Sequence, residues 1–199
     1  MGRPSMAAVR REQILDAVTR CVGEYGYEGT TLERVAEASG FSRGHIRHYL
    51  GNREQLLEQF QQRLMSQYVG RMQEIADSSE PGKRATALVQ FLFGEEWAPG
   101  EDNAAINALT WAAARDENVR IYLRESYLGM EGTLARALRT DYPHAPAAEC
   151  ADTAYTLLCL AFAHSTLLEL SYPADRERSV NAVTARLLEQ LASFEPSAD

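Results

Sequence analysis

The residues with the clearest capacity for chemistry lie between positions 43 and 53. This stretch holds Gly44, which permits close approach, and several side chains that can donate hydrogen bonds to bases or phosphates: Arg43, His45, Arg47, His48, Tyr49 and Arg53. Arg43 and Arg53 directly follow the helix-capping types Ser42 and Asn52, which places both arginines in a first helical turn. A cation there opposes the helix dipole at a cost of about 0.3–1 kcal/mol, but an anion held by the arginine and the free backbone N–H groups reverses the sign. The pattern therefore predicts contacts with a phosphate backbone, and solvated surface arginines are the alternative.

Two enzymatic interpretations of the same stretch fail on their structural context. Gly40-Phe41-Ser42-Arg43-Gly44 matches the G-x-S-x-G nucleophile elbow, but that motif needs a strand before the serine and here a helix precedes it. His45 and His48 could share a metal, yet no further ligand cluster with suitable spacing accompanies them. There is no phosphate-cradling glycine loop and no recognisable triad. We therefore expect no catalytic residues, no metal and no cofactor.

Two helices are predicted before this stretch. The first runs from Arg10 to Tyr25 with apolar residues along one stripe, and Gly26 is a natural stop. Thr30 as N-cap and Glu33 form a capping box for the second helix. The polar residues between 43 and 53 therefore follow directly on a pair of capped helices.

The second and third helices have the spacing of a helix-turn-helix. Ala36 is small where two helices must cross closely, Gly40 suits a left-handed turn, and Ile46 points back into the core. Asn52 and Gln55 can cap a fourth, long helix that continues to position 75. The polar stretch thus lies on the third of three helices, and a long fourth helix leads away from it.

The charge distribution divides the chain into two parts. The 199 residues carry a net charge of −8, but residues 1–65 contain nine Arg against eight Asp and Glu, a net of +1. The remaining residues carry eleven Lys and Arg against twenty Asp and Glu, a net of −9. An arginine-bearing segment joined to an acidic one indicates two tasks in one chain. Near the N-terminus, Arg3 and Arg10-Arg11 could form a flexible basic arm on DNA.

Residues 30–57 resemble the tetracycline-repressor (TetR) family of regulators. They read TTLERVAEASGFSRG followed by HIRHYLGNREQLL, and the resemblance covers about the first 60 of the 199 residues. It implies that Thr31 and Tyr49 contact phosphates. It also implies that four residues face bases or backbone: Arg43, Gly44, His45 and His48.

Two positions depart from the family's usual pattern. Arg53 stands where such proteins usually have lysine and keeps the positive charge for a phosphate contact. Arg47 stands where they usually have tyrosine, and it could read a guanine instead of packing on the sugar-phosphate chain. The family's usual operator preference is therefore in doubt at this position.

Beyond the long helix, the pattern predicts further helices separated by Pro and Gly breaks: Arg84–Phe93, Asp102–Ala114, Asn118–Leu138, Ala147–Leu170 and Ser179–Phe194. No run of alternating β-branched residues occurs, so we expect an all-α fold. An N-terminal three-helix helix-turn-helix domain (1–52) and a connecting long helix (53–76) precede a helical C-terminal domain (77–199). The family resemblance implies that this last domain dimerises and binds a small molecule.

The last two predicted helices favour self-association. Ala147–Leu170 is apolar nearly all round and must be covered on several sides, and Ser179–Phe194 carries one apolar stripe. Two such helices from each subunit could form a four-helix interface in a homodimer. A core within one chain is the alternative.

Candidate residues for an effector pocket are aromatic or polar groups among small residues: Phe91, Trp97, Trp111, Arg115, Tyr122, Tyr127 and His164. The segment 107–115, NALTWAAAR, resembles more distantly the betaine-regulator type within the family. Ordinary core packing is the alternative for each of these residues. A cationic or aromatic effector would suit the acidic excess and the aromatic side chains.

These features predict a ligand-responsive transcriptional regulator, and a repressor is favoured over an activator. It would bind double-stranded DNA at a palindromic operator as a homodimer and be released by a small-molecule effector. No signal peptide and no membrane span are expected, and the location is expected to be cytoplasmic with reduced cysteines. Two alternatives remain: a DNA-binding protein without a ligand, and a helical ligand-binding or protein-interaction module that does not bind DNA.

Overall fold

Nine α-helices and no strand account for the secondary structure of the described residues. The computed structural model describes residues 5–94, 97, 100–171 and 176–195. The helices are α1 (Met6–Gly29), α2 (Leu32–Ser39), α3 (Arg43–Leu50), α4 (Arg53–Ser78), α5 (Arg84–Leu92), α6 (Gly100–Ala112), α7 (Glu117–Asp141), α8 (Ala147–Glu169) and α9 (Glu177–Ala192). The all-α prediction is confirmed, and the helices predicted after residue 80 begin and end within a few residues of their expected bounds. Among these helices, none combines the length and the apolarity that crossing a bilayer requires.

Local side-chain caps fix where α3 and α4 begin. The Ser42 hydroxyl accepts a hydrogen bond from the backbone N–H of His45 at 3.3 Å. Before α4, the backbone N–H of Gln55 donates to Asn52 Oδ1 at 2.9 Å, and the backbone N–H of Asn52 donates to Gln55 Oε1 at 3.0 Å. This reciprocal pair is the predicted capping box. Gly40 ends α2 in the left-handed conformation, with φ 73°, as the turn prediction requires.

The prediction that Thr30 caps α2 is wrong by one residue. Thr31 is the N-cap, and its hydroxyl accepts from the backbone N–H of Arg34 at 3.3 Å. Thr30 is buried and its hydroxyl donates to the carbonyl of Gly26 at 2.8 Å. Gly26 breaks the regular helical geometry of α1 with φ 75°, and Thr30 closes the turn that follows this break. The next threonine is therefore the one left to cap α2.

Two further helix ends in this region are capped from a distance. Arg20 of α1 donates from Nη2 to the carbonyl of Ala38 at the end of α2, at 3.3 Å. Gln59 of α4 donates from Nε2 to the carbonyl of Leu50, the last residue of α3, at 2.9 Å. The carbonyls at a helix end have no partner within the helix, so these side chains satisfy them and tie α2 and α3 to the longer helices.

The first of two compact units contains residues 1–66 and 99–123. Its core is formed by fully buried side chains from α1, α2, α3 and α4: Ile14, Val18, Val22, Val35, Ile46, Leu50, Leu57 and Phe60. Helix α6 packs closely on α1, because a Cβ built at Gly23 would lie 3.2 Å from the Cβ of Ala104. Packing thus places α6 in the same unit as the helix-turn-helix. The functional boundaries predicted at residues 52 and 76 remain predictions.

The second unit contains residues 67–98 and 124–199. The Asp141 carboxylate at the end of α7 caps α5, since Oδ1 accepts from the backbone N–H of Gly82 at 2.7 Å and Oδ2 from that of Ala85 at 2.8 Å. The core of this unit includes buried leucines on α5, α7 and α8: Leu88, Leu134, Leu138 and Leu157. Helix α9 packs against α8, with Leu191 buried.

Candidate nucleic-acid interface

Helix α3 separates an apolar face from a polar one. Ile46 and Leu50 are almost fully buried and anchor the helix in the core of the first unit. The opposite face is exposed and consists of residues that sequence reasoning selected: Arg43, Gly44, His45, Arg47 and His48. Tyr49 lies between the two faces and is half-buried. The structure therefore brings six of the predicted contact residues together on one short helix.

Arg43 forms an ion pair with the preceding helix. Its Nη1 donates to Glu33 Oε1 at 2.6 Å, and both side chains are about two-thirds exposed. The Arg43 guanidinium is the largest cause that holds the pKa of Glu33 below its usual value. Thr31, another predicted contact, is the N-cap of the same helix, and its hydroxyl also helps to lower the pKa of Glu33. The N-terminal turns of α2 and α3 thus share one polar surface.

Tyr49 is positioned from two sides. Its hydroxyl accepts a hydrogen bond from Arg10 Nη1 at 3.2 Å, which connects α1 to α3. The ring of His48 meets the Tyr49 ring edge-on, with centroids 5.1 Å apart. Arg10 was expected in a flexible arm, but in the structure it lies on α1, which begins at Met6. Arg3 lies outside the described residues.

His45 is held by the residue that caps its helix. The Ser42 hydroxyl lies 3.3 Å from His45 Nδ1 as well as accepting from the His45 backbone N–H. This contact engages the Nδ1 edge of the exposed His45 ring. Arg47 and His48 occupy the last turn of α3, where a positive charge is favoured by the helix dipole.

Arg53 has a different environment from Arg43. Its Nε donates to the carbonyl of Thr30 at 2.7 Å, and its Nη2 donates to the carbonyls of Tyr27 at 2.8 Å and Glu28 at 3.0 Å. The side chain is half-buried and ties the start of α4 to the end of α1. Part of the Arg53 guanidinium is thus already bonded within the chain. Its contact with a DNA phosphate remains a prediction.

The residues proposed for an effector pocket are divided between the two units. In the second unit, Phe91 and Trp97 are buried and Trp97 meets Tyr68 edge-on at 5.4 Å. Tyr127 packs on Phe162, and burial raises its pKa to about 12. His164 lies 6.3 Å from Phe93, measured between ring centroids. These four candidates belong to one aromatic-rich unit.

The other three candidates lie in the first unit. Tyr122 donates from its hydroxyl to the carbonyl of Gln62 at 3.3 Å. Trp111 is 74% exposed, and Arg115 is also exposed, with its Nη1 3.9 Å from Glu28 Oε1. Such exposure lends no support to an interior pocket at Trp111 or Arg115. Over the described part of the chain, no three His, Cys, Asp or Glu side chains group in a way that could hold a metal ion.

Sequence reasoning missed the residues that position α2 and α3 from other helices. Glu33 was assigned only to a capping box, and Gln59 and Arg20 were not singled out. Glu33 carries a detectable signal, because it is opposite in charge to Arg43 and both open neighbouring predicted helices. Gln59 and Arg20 carry none, since their partners are backbone carbonyls on other helices.

Comparison with known proteins places this helix-turn-helix among bacterial regulators. Residues 14–60 match the family described as "Bacterial regulatory proteins, tetR family". The chain is 30% identical over 163 residues to the HTH-type transcriptional regulator BetI of Rhizobium meliloti. This alignment covers 79% of this chain and 78% of that protein. It is 50% identical over 46 residues to the HTH-type transcriptional repressor AcnR of Corynebacterium efficiens. That match covers 23% of this chain and 24% of the repressor, so the chain spans about a quarter of the repressor's length in this match.

The fold extends over the whole chain of a solved relative. The transcriptional regulator FadR from Bacillus subtilis, solved in complex with stearoyl-CoA, superposes with a TM-score of 0.67 at 20% identity. The superposition covers 93% of this chain and 99% of that chain. At this identity the likeness concerns the fold alone.

Proposed function

Because the chain belongs to the TetR family of bacterial regulatory proteins, we propose that it is a transcriptional repressor that binds a palindromic operator as a homodimer. One observation carries the proposal: α3 buries Ile46 and Leu50 and presents Arg43, Gly44, His45, Arg47 and His48 to the outside. A helix that is anchored on one face and rich in hydrogen-bond donors on the other suits the major groove.

The proposed DNA contacts fall into two groups. Arg43, His45, Arg47 and His48 reach base edges, because the face of α3 that carries them enters the groove. Thr31, Tyr49 and Arg53 contact phosphates, together with Arg3 of the arm, and so set the register of the protein on the duplex. Gly44 lets the backbone of α3 approach the DNA closely.

The proposed homodimer uses α8 and α9. Tyr155 and Leu167 of α8 are 61% and 40% exposed, and Cys159 between them is also exposed. Together with the exposed Ala163, they recur every four residues and so form one ridge along the helix. A second copy would cover this face with its own α8 and α9. A palindromic operator would in turn require the two α3 helices to lie about 34–36 Å apart, the spacing of successive major grooves.

The proposed effector site lies within residues 77–199, among the aromatic side chains of the second unit. Phe91, Trp97, Tyr127 and His164 offer apolar faces with few polar groups, which is typical of small-molecule sites. A structural relative is known with stearoyl-CoA bound, which supports a small-molecule effector of some kind here. The effector must bind the DNA-free form better than the DNA-bound form, and by reciprocity DNA then weakens effector binding.

The first test is the selection of bound duplexes from a random DNA library by the purified chain at near-physiological salt. Recovery of one palindromic motif is the expected result. Recovery of nothing above background would overturn the proposal and favour a helical ligand-binding or protein-interaction module. A motif without dyad symmetry would instead remove the palindromic operator and the symmetric homodimer.

The homodimer has an independent test in the cysteines. Cys21 and Cys150 are buried and Cys159 is exposed, so a short bismaleimide should join two chains through Cys159. The Cys159→Ser variant is the matched control and should stay unlinked. Light scattering of the untreated protein must give twice the chain mass of 22.2 kDa, and a monomer would contradict the proposal.

A further inference from the structure

Glu33 places a carboxylate beside the exposed face of α3. Its Oε1 accepts from Arg43 Nη1 at 2.6 Å and so joins the first turns of α2 and α3. After Arg43, the Glu33 backbone N–H and the Thr31 hydroxyl also help to hold the pKa of this carboxyl below its usual value. A negative charge is therefore fixed among the residues proposed to approach DNA.

The ion pair restricts Arg43 without immobilising it. Both side chains are about two-thirds exposed, and exposed pairs contribute little to stability, so the pair can open readily. While it is closed, Nη1 of Arg43 is occupied and the remaining N–H groups of the guanidinium stay available for a base edge. When a phosphate draws Arg43 away, the unpaired Glu33 carboxylate repels that phosphate.

The charge balance of the N-terminal segment makes this repulsion effective. Residues 1–65 have a net charge of only +1, so the attraction of this segment to DNA backbone is modest. Binding to arbitrary sequence depends almost entirely on phosphate contacts and counterion release, whereas operator binding adds base contacts. A carboxylate that opposes phosphate capture by Arg43 therefore penalises arbitrary DNA more than the operator.

We propose that Glu33 is a specificity-determining residue that reserves Arg43 for base readout and weakens binding to DNA without the matching base. This assignment rests on the proposed function, because it requires that α3 faces DNA. Arg43 and Glu33 then act as one unit: the arginine reads the sequence and the carboxylate suppresses binding elsewhere.

The test compares wild type and Glu33→Gln on the selected operator and on a shuffled duplex of equal length, across a salt series. We expect the affinity of Glu33→Gln for the shuffled duplex to rise about threefold, with a salt slope steeper by about one unit, because Arg43 becomes free to contact a phosphate. The affinity for the operator should change less, so the ratio of operator affinity to shuffled-duplex affinity falls. An equal gain on both duplexes, or no gain on the shuffled one, would overturn the proposal.

Two matched variants separate the causes. Glu37→Gln removes the same charge from the same helix, but Glu37 lies near the Cys21 thiol of α1, and it should leave shuffled binding close to wild type. Glu33→Asp keeps the charge on a shorter side chain and should also keep shuffled binding low. An equal gain with Glu37→Gln would reduce the effect to net charge and overturn the assignment. Wild type that binds neither duplex would overturn the proposed function itself.

Discussion

The N-terminal ends of α3 and α4 are alike in sequence and different in structure. Each helix begins with an arginine that directly follows a capping residue. Arg43 lies on the surface and pairs with the Glu33 carboxylate. Arg53 is half-buried and donates to carbonyls at the end of α1. The same local motif thus lies on an exposed surface in one case and joins two helices in the other.

The difference follows from where each guanidinium finds negative charge. Neither arginine is favoured at the positive end of its own helix dipole. Arg43 is compensated by a carboxylate on α2, whereas Arg53 turns back to the carbonyls that end α1, where the dipole is negative. Distant neighbours, and not the adjacent sequence, decide which arginine remains accessible.

The largest expected effect is on folding, at Arg53. Arg53→Ala leaves the carbonyls of Tyr27, Glu28 and Thr30 without their charged donor, so the free energy of unfolding should fall by about 2 kcal/mol. Urea unfolding of the DNA-free protein measures this loss. Arg43→Ala is the matched control and should stay within about 0.5 kcal/mol of wild type. Unfolding of Arg53→Ala at the wild-type midpoint would mean that Arg53 does not join α1 to α4.

The second effect is on DNA binding, at Arg43. Arg43→Ala removes a donor proposed to reach a base edge, and operator affinity should fall about tenfold while shuffled DNA is affected less. Fluorescence anisotropy with labelled duplexes gives both constants. An equal loss of affinity for both duplexes would mean that Arg43 contacts a phosphate. Arg43 would then resemble Arg53 in its proposed DNA contact.

The sequence was most informative where structure is set by neighbours within one helical turn. The caps at Ser42 and Asn52 and the left-handed Gly40 were predicted correctly, because each depends on residues at most a few positions away. The cap of α2 was misassigned because Thr30 and Thr31 are chemically equivalent. Only the break at Gly26 and the burial of Thr30 decide between them.

Features that depend on distant packing could not be predicted in the same way. Helix α6 joins the first unit through the contact of Gly23 with Ala104, and nothing in the small residues of α6 indicates which helix they meet. Residue type alone selected both Trp97, which is buried, and Trp111, which is exposed, for one pocket. Aromatic residues fill cores and lie on surfaces alike, so their type does not locate a site.

A smaller effect is expected at the capping box that starts α4. Asn52→Ala removes the acceptor of the Gln55 backbone N–H, and the loss should be about 1 kcal/mol of unfolding free energy. Gln55→Ala, which removes the reciprocal acceptor, should cost less because the backbone N–H of Asn52 can bond water instead. Operator affinity at a temperature where both variants are folded should match wild type. A selective loss of operator affinity would show that the cap itself contacts DNA.

The smallest effect separates folding from DNA approach at Gly44. A Cβ at this position has Ser42 Oγ at 3.8 Å, an ordinary contact, so alanine fits the free protein. Gly44→Ala should raise the unfolding free energy by about 0.5–1 kcal/mol, since glycine is a poor helix former, and yet weaken operator binding. Gly129→Ala is the matched control, because Gly129 is also exposed within a helix and a Cβ there has open space. Gly129→Ala should raise the unfolding free energy by the same amount and leave the dissociation constant for the operator unchanged. Equal operator binding by both variants would mean that α3 does not approach DNA closely at Gly44, and that its accessible face acts through Arg43 and its neighbours alone.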